Sequence, residues 1–241
     1  TIKEGIMNKI FFSKICILAI FASTSYALDV DKHLELSYVQ TSGNSNTSTF
    51  STKVEASTAL SDKSNFRAKG NILYSENDND SSANKYDIEL DYNYMLSEKI
   101  YSYFGVNYLK DQFSDYDYRL NAGPGLGYKL LDDKEQTIDL QGGLDYALDQ
   151  YSDGIEDEYV ASRAEVNYRY KINENLKFKQ MFNYLVSLED NNKYFMASDT
   201  SLGVKMTDNL SLGVSYRIDY VNQTSKEHAD RKLLTSLIID F

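Results

Sequence analysis

The stretch KYDIELDYNYML, residues 85–96, alternates between polar and apolar side chains. Its apolar positions are Tyr86, Ile88, Leu90, Tyr92, Tyr94 and Leu96, and its polar positions are Lys85, Asp87, Glu89, Asp91 and Asn93. Because successive side chains of a β-strand point to opposite faces, this stretch predicts a strand with one apolar and one polar wall. Residues 210–220 show the same pattern.

Alternation of this kind continues from Leu34 to Phe241 and predicts about twelve strands. Their expected spans are 33–42, 46–60, 64–75, 84–96, 100–111, 117–131, 136–149, 158–172, 175–188, 193–206, 209–222 and 231–241. An even number of strands brings both ends of a closed barrel to the same side.

The connections between these strands are of two alternating kinds. Residues 60–63, 96–99, 131–134, 172–175 and 206–209 each hold an apolar residue followed by polar turn formers, whereas residues 76–84, 149–158 and 222–230 are longer and more charged. Tight turns on one side and longer loops on the other are typical of outer-membrane barrels. The sequence therefore predicts an all-β fold, a closed antiparallel up-and-down transmembrane β-barrel of about 12 strands.

A soluble β-sandwich or jelly roll is the alternative, since its strands also alternate. Strands of twelve or more residues exceed the usual soluble length, and a single Pro offers little protection to the edges of an open sheet. The chain also ends on an alternating apolar face whose last residue is Phe241, which we expect to be a signal for the barrel-assembly machinery. These features favour the barrel.

The first residues resemble an export signal. Lys9 and Lys14 precede the apolar run 15–22, and Ser25 and Ala27 are small residues at the positions that a signal peptidase inspects. A membrane anchor is the alternative, but this run is far shorter than the roughly 20 residues that a bilayer core requires. We therefore expect residues 1–27 to be upstream residues plus a cleavable signal peptide, cut between Ala27 and Leu28, with a barrel domain over 28–241.

Composition restricts the partners. The formal net charge is −11, which argues against binding nucleic acid. The expected partners are outer-membrane lipid and lipopolysaccharide. The only cysteine, Cys16, would leave with the signal peptide, so no thiol chemistry is expected in the barrel.

The two walls of the strands have different expected surroundings. In hydrocarbon a closed sheet pairs its backbone amides internally, so the apolar wall is expected to face lipid and the polar wall to face the lumen. The candidates for lining the lumen are Lys53, Glu55, Arg67, Lys69, Asp87, Glu89, Asp91, Arg119, Asp145, Arg163, Glu165, Arg217 and Asp219. Their charges predict either a cross-bridged filling that stabilises the barrel or a selectivity constriction for small polar solutes.

The sequence offers little for catalysis or cofactors, and none is expected. The two histidines, His33 and His228, fall at opposite ends of the predicted barrel, and no nucleophile motif accompanies them. The acidic residues of the stretch 149–158 are an alternative site for divalent cations at the outer loops. The glycines Gly123, Gly125 and Gly127 predict a bulge or bend that makes room in the lumen.

Several segments together resemble a known family. These are TSGNSN at residues 41–46, GPGLGY at 123–128, LQGGL at 140–144 and MTDNLSL at 206–212. In this order they resemble the YdiY-type family of putative salt-induced outer-membrane proteins, a family of unknown function. The resemblance implies a barrel in the outer membrane and brings no catalytic residues.

Three hypotheses about function follow. The first is a non-enzymatic outer-membrane barrel that forms a narrow pore for ions or small polar solutes, with a role in envelope or osmotic adaptation. The second is a sealed structural or adhesive barrel whose acidic outer loops bind cations. The third is an outer-membrane hydrolase, which would need a nucleophile and a histidine at one rim.

Overall fold

A computed structural model describes residues 29–41, 47–78 and 80–241 of the chain. They form twelve β-strands, which confirms the predicted fold. The strands are β1 Val30–Thr41, β2 Thr47–Ser61, β3 Ser64–Asn77, β4 Asp80–Met95, β5 Ile100–Asp111, β6 Tyr116–Asp132, β7 Gln136–Tyr151, β8 Glu156–Lys171, β9 Leu176–Ser187, β10 Tyr194–Lys205, β11 Leu210–Val221 and β12 Ala229–Asp240. The expected cleavage site, Ala27 and Leu28, lies outside the described residues, so the signal peptide remains a prediction.

The sheet closes on itself. Each strand pairs antiparallel with its neighbours in the chain, and β1 pairs with β12, with Leu36 opposite Leu237. Backbone hydrogen bonds between Lys32 and Phe241 extend this seam. Phe241 is exposed, and its role as an assembly signal stays a prediction.

The short connections share one side-chain device. Ser61, Ser97, Asp133, Asn173 and Thr207 each accept a hydrogen bond at a side-chain oxygen from the backbone N–H three residues later. Short polar side chains stabilise tight turns in this way. These turns, the start of β1 and the end of β12 lie at the same end of the barrel, here called the turn end. The opposite end is called the loop end.

The connections at the loop end are shorter than the sequence predicts. The expected loop 76–84 is mostly strand, because β3 continues to Asn77 and β4 begins at Asp80. The expected loop 149–158 shrinks to 152–155, since Gln150 still pairs with Glu156. The sequence prediction was wrong here because cross-strand backbone pairing does not require the alternation of side chains by which strands were recognised.

Large apolar side chains project outward around the barrel. Leu126, Leu144, Phe104 and Val214 are about half exposed, and they alternate with inward polar residues. No helix in residues 29–41, 47–78 and 80–241 is long and apolar enough to cross a membrane.

Two glycines of β6 receive tyrosine rings from β5. A Cβ atom added to Gly127 would lie 2.0 Å from the Tyr101 ring, and one added to Gly125 would lie 2.2 Å from the Tyr103 ring. The expected bulge is not at this position, because the β6–β7 register is unchanged across residues 122–125. The register shifts instead at 116–118 and 129–131, and the glycines serve close packing.

Candidate functional site in the barrel lumen

The barrel encloses a central cavity of about 360 Å³ whose wall is strongly charged. Nine Lys or Arg and seven Asp or Glu side chains line it. Eleven of the thirteen residues proposed from the sequence are on this wall. The other two, Asp91 and Asp145, are buried behind it against Arg67 and Arg163.

Charged residues on β3 and β4 neutralise one another. The register sets Arg67 opposite Asp91 and Lys69 opposite Glu89. Arg67 Nη2 lies 2.9 Å from Asp91 Oδ2, and Lys69 Nζ lies 2.7 Å from Glu89 Oε1. Glu55 on β2 stands opposite Lys69, so this sector of the wall alternates in sign from strand to strand.

Other ion pairs connect strands that are not neighbours. Lys53 on β2 lies 2.9 Å from Asp199 on β10, and Lys85 on β4 lies 3.1 Å from Asp219 on β11. Asp219 also pairs with Arg217. These bridges span the lumen and narrow it. Lys85 and Asp199 were outside the list of thirteen, although the alternation of β4 and β10 places both on the polar wall.

The remaining candidate residues take local partners. Asp145 accepts a hydrogen bond from Asn121 and lies 3.4 Å from Arg163 Nε. Glu165 accepts one from Asn183, and Asp87 accepts one from Asn107. These contacts add further side-chain links between neighbouring strands of the wall.

Aromatic and apolar residues fill the lumen toward the loop end, and we call them the plug. The plug consists of Tyr116, Ala147, Tyr159, Ala161, Leu185 and Phe195, which are all less than 8% exposed. Arg119 stacks on Phe195 with its Cζ 3.1 Å from the ring centroid. The sequence signal was an inward position occupied by an apolar residue, which the search for charged residues missed.

Buried ion pairs surround the plug. Asp149 is 1% exposed and pairs with Arg119 and Lys193 at 3.1 and 2.7 Å. Lys193 also binds Asp157. Asp149 and Asp157 were predicted in an acidic loop, but both lie in strands and have cationic partners. Within the part of the chain that the structure describes, no three His, Cys, Asp or Glu side chains are grouped to hold a metal. Divalent-cation binding at the outer loops therefore remains a prediction without a site.

The loop 222–228 crosses the loop end above the plug, and we call its contacts the latch. This loop joins β11 to β12 and reaches the β5–β6 loop across the barrel. The two loops are diametrically opposite, because four strands separate them in each direction around the sheet: β7 to β10 in one and β1 to β4 in the other. Asp115 accepts hydrogen bonds from Thr224 Oγ1, Ser225 N and Ser225 Oγ at 2.7, 2.6 and 2.8 Å. Lys226 donates to the carbonyl groups of Phe113 and Ser114.

The latch carboxylate is stabilised in its ionised form. Partial burial acts to raise the pKa of Asp115, but the hydrogen bonds from Thr224 and Ser225 outweigh it and lower the pKa below its ordinary value. The latch is further attached by Gln223, which donates to Asp190 at 2.6 Å and accepts from Tyr116 of the plug. The loop end is thus covered by two layers, the latch outside and the plug beneath it.

The histidines lie at opposite ends, as expected. His33 contacts Glu35 and Asp240 near the turn end, and His228 contacts the Val221 carbonyl at the loop end. His33 and its carboxylate neighbours belong to the β1–β12 seam.

The fold and the lumen define a class: a closed twelve-stranded barrel with an apolar outer wall and a charged, bridged interior. The chain belongs to the family described as "Protein of unknown function, DUF481", whose profile matches residues 34–241. Its fold is similar to that of the NanC porin, with 14% identity, a TM-score of 0.51 and coverage of 88% of this chain and 98% of that one. It is also similar to the COG4313 outer membrane channel from Pseudomonas putida F1, with 10% identity, a TM-score of 0.55 and coverage of 91% and 98%. No curated protein matches the chain.

Proposed function

We propose that this protein is a non-enzymatic outer-membrane channel for ions or small polar solutes. The observation that carries the proposal is the central cavity, which is lined by nine cationic and seven anionic side chains inside a wall that is apolar outside. A Lys or Arg would cost about 2 to 4 kcal/mol at the lipid midplane, so only a barrel with its polar wall inward suits a bilayer. The fold shared with a porin and an outer-membrane channel supports the same reading.

The surroundings of the protein follow from this proposal. A signal peptide over residues 1–27 would export it, and the barrel-assembly machinery would insert it among outer-membrane lipid and lipopolysaccharide of a Gram-negative cell. The turn end would then face the periplasm and the loop end the exterior. A YdiY-type, salt-induced role in envelope or osmotic adaptation is the finer form of the proposal.

A sealed structural barrel is the second candidate, and the plug favours it. The six plug side chains leave almost no exposed surface, and the latch covers them. A channel therefore requires the latch and the plug to rearrange, whereas a structural barrel requires only that they persist.

Single-channel conductance in a planar bilayer distinguishes the two. The wild type is compared with the triple variant Asp87→Asn, Glu89→Gln, Asp91→Asn, which removes three inward carboxylates beside Arg67 and Lys69. We expect steady openings whose selectivity shifts toward anions in the variant, because the lumen wall loses Asp87 and Glu89 and Arg67 loses its partner Asp91.

A matched control removes three exposed carboxylates from the turns with the same substitutions, Asp62→Asn, Glu98→Gln and Asp208→Asn. Its selectivity should stay close to that of the wild type. If all three proteins fold but none conducts, the sealed barrel is correct. If they conduct with one unchanged selectivity, the charged cavity is not the constriction.

A further inference from the structure

Four basic residues form a ladder on the inner wall at the turn end. The register of β8 and β9 sets Arg169 directly opposite Lys179 and Lys171 directly opposite Lys177. All four are exposed, and Arg169 and Lys179 also line the central cavity. Like charges directly opposite one another in a sheet are destabilising, so this arrangement weakens the fold unless something neutralises it.

The described residues provide few counter-ions for this basic ladder. Among the described residues, none of the four forms an ion pair, although most cationic residues higher on the wall do. Asp199 binds Lys53, and Glu35 binds His33 and interacts with Lys179 only at longer range. Glu165 and Asp139 accept hydrogen bonds from Asn183 and Tyr101 and form no ion pair with the ladder. Four cations without a direct ion pair leave a local excess of positive charge, which an anion from outside the chain would neutralise.

The wall beside the basic ladder leaves room for such an anion. Ser201 stands next to Lys179 and Gly203 next to Lys177, and both have short side chains or none. A Cβ added at Gly203 would meet nothing closer than 3.9 Å. By contrast, the space over Gly125 and Gly127 of β6 is filled by tyrosine rings.

We propose that the basic ladder of Arg169, Lys171, Lys177 and Lys179 binds a small soluble anion that bears phosphate or carboxylate groups. Arg offers paired donors to such oxygens, and each Lys adds a point charge with three donors. The proposal rests on the proposed channel function, for which it names the solute class, but the site faces the open turn end and requires no opening of the plug.

Equilibrium binding tests the site without requiring a current. The full chain, refolded in neutral detergent, is titrated calorimetrically with inorganic phosphate and, separately, with succinate. The variant Arg169→Gln, Lys179→Gln should bind at least about tenfold more weakly, equivalent to about 1.4 kcal/mol. The control Lys63→Gln, Lys99→Gln removes two cations from turns at the same end and should bind like the wild type. Equal affinity of the two double variants, or no binding by the wild type, overturns the proposal.

Two further measurements separate the remaining explanations. The exchange Arg169→Lys, Lys179→Arg keeps both charges and should retain binding, which shows that charge rather than misfolding explains the loss. The phosphate titration is repeated in vesicles that contain phosphatidylglycerol, to distinguish a soluble anion from a lipid headgroup. If these vesicles abolish phosphate binding, a lipid headgroup occupies the site and the assignment to a soluble solute is overturned. Phosphate binding without any conductance would support the anion site and refute the channel. Conductance without phosphate binding would support the channel and refute the anion site.

Discussion

The latch between Asp115 and the loop 222–228 should control access to the plug. The substitution Asp115→Ala removes all three hydrogen bonds that cross the mouth to Thr224 and Ser225. Because Asp115 is the acceptor for both residues, we expect the loop to detach more often and expose the plug to reagents from the loop end.

The magnitude follows from the number of hydrogen bonds and their exposure. Hydrogen bonds to a charged group contribute about 1.5 to 3 kcal/mol each, but Asp115 is half-buried, and solvent reduces each to about 0.5 to 1 kcal/mol. Three bonds then amount to about 1.5 to 3 kcal/mol, which corresponds to a roughly 10- to 100-fold larger open population.

Cysteine labelling measures this opening. Ala147 is 1% exposed within the plug, so Ala147→Cys, in a background with Cys16→Ser, provides a buried thiol. Its labelling rate by a small membrane-impermeant maleimide should rise about 10- to 100-fold with Asp115→Ala when opening is fast relative to labelling. The control Asp117→Ala removes an equal charge from the same hairpin, but its partner Lys110 lies on the adjacent strand, so the rate should not change. An equal rate in both variants would refute the idea that the latch limits access.

Acidification should act on the same contacts. The folded pKa of Asp115 lies below its ordinary 3.8, so the latch stabilisation is present above that value and is lost as the pH falls through the folded pKa. Hydrogen exchange at the Ser225 amide, corrected for the intrinsic rate, should keep its protection at about pH 5 and lose it only below about pH 3.8. Loss of protection already at about pH 5 would contradict the assignment of Asp115 as the acceptor.

Three further predictions concern stability, read as urea unfolding in micelles or vesicles. Gly127→Ala should destabilise the barrel by about 1 to 3 kcal/mol, because the added Cβ would overlap the buried Tyr101 ring. Asp149→Ala should cost about 3 to 5 kcal/mol, because it leaves Arg119 without its buried counter-ion. Leu126→Arg should cost about 2 to 4 kcal/mol in a bilayer, because this side chain is on the outer wall.

Matched variants test the stated causes. Gly203→Ala should be tolerated, since its added Cβ would have no neighbour closer than 3.9 Å. Asp208→Ala should leave unfolding unchanged, because Asp208 is almost fully exposed. If Gly127→Ala and Gly203→Ala unfold alike, ring packing on β6 is not what the glycine provides. If Leu126→Arg is harmless in vesicles, the outer wall does not contact lipid.

The glycine segment shows where sequence reasoning reached its limit. Residues 123–127 predicted both a bulge and free space, and only close packing was found. Tyrosines of β5 fill the space over Gly125 and Gly127, and the β7 backbone fills that over Gly123. The loop 149–158 likewise seemed to be an acidic surface segment. Asp149 is instead buried, because Arg119 and Lys193 approach it from two other strands.

The sequence by itself determined the strands, the number of strands, the turns and which wall is charged, since alternation and turn chemistry are local properties. It also predicted a cross-bridged wall as one alternative, and the bridges of Arg67 and Lys69 to the carboxylates of β4 join strands that are neighbours in the chain. Only the tertiary structure decided what closes the lumen. Asp115 bonds to Thr224 because their loops face one another across the barrel, and the four cations of the basic ladder adjoin because of the β8–β9 register. Closure of the sheet sets those distances, and no local pattern records them.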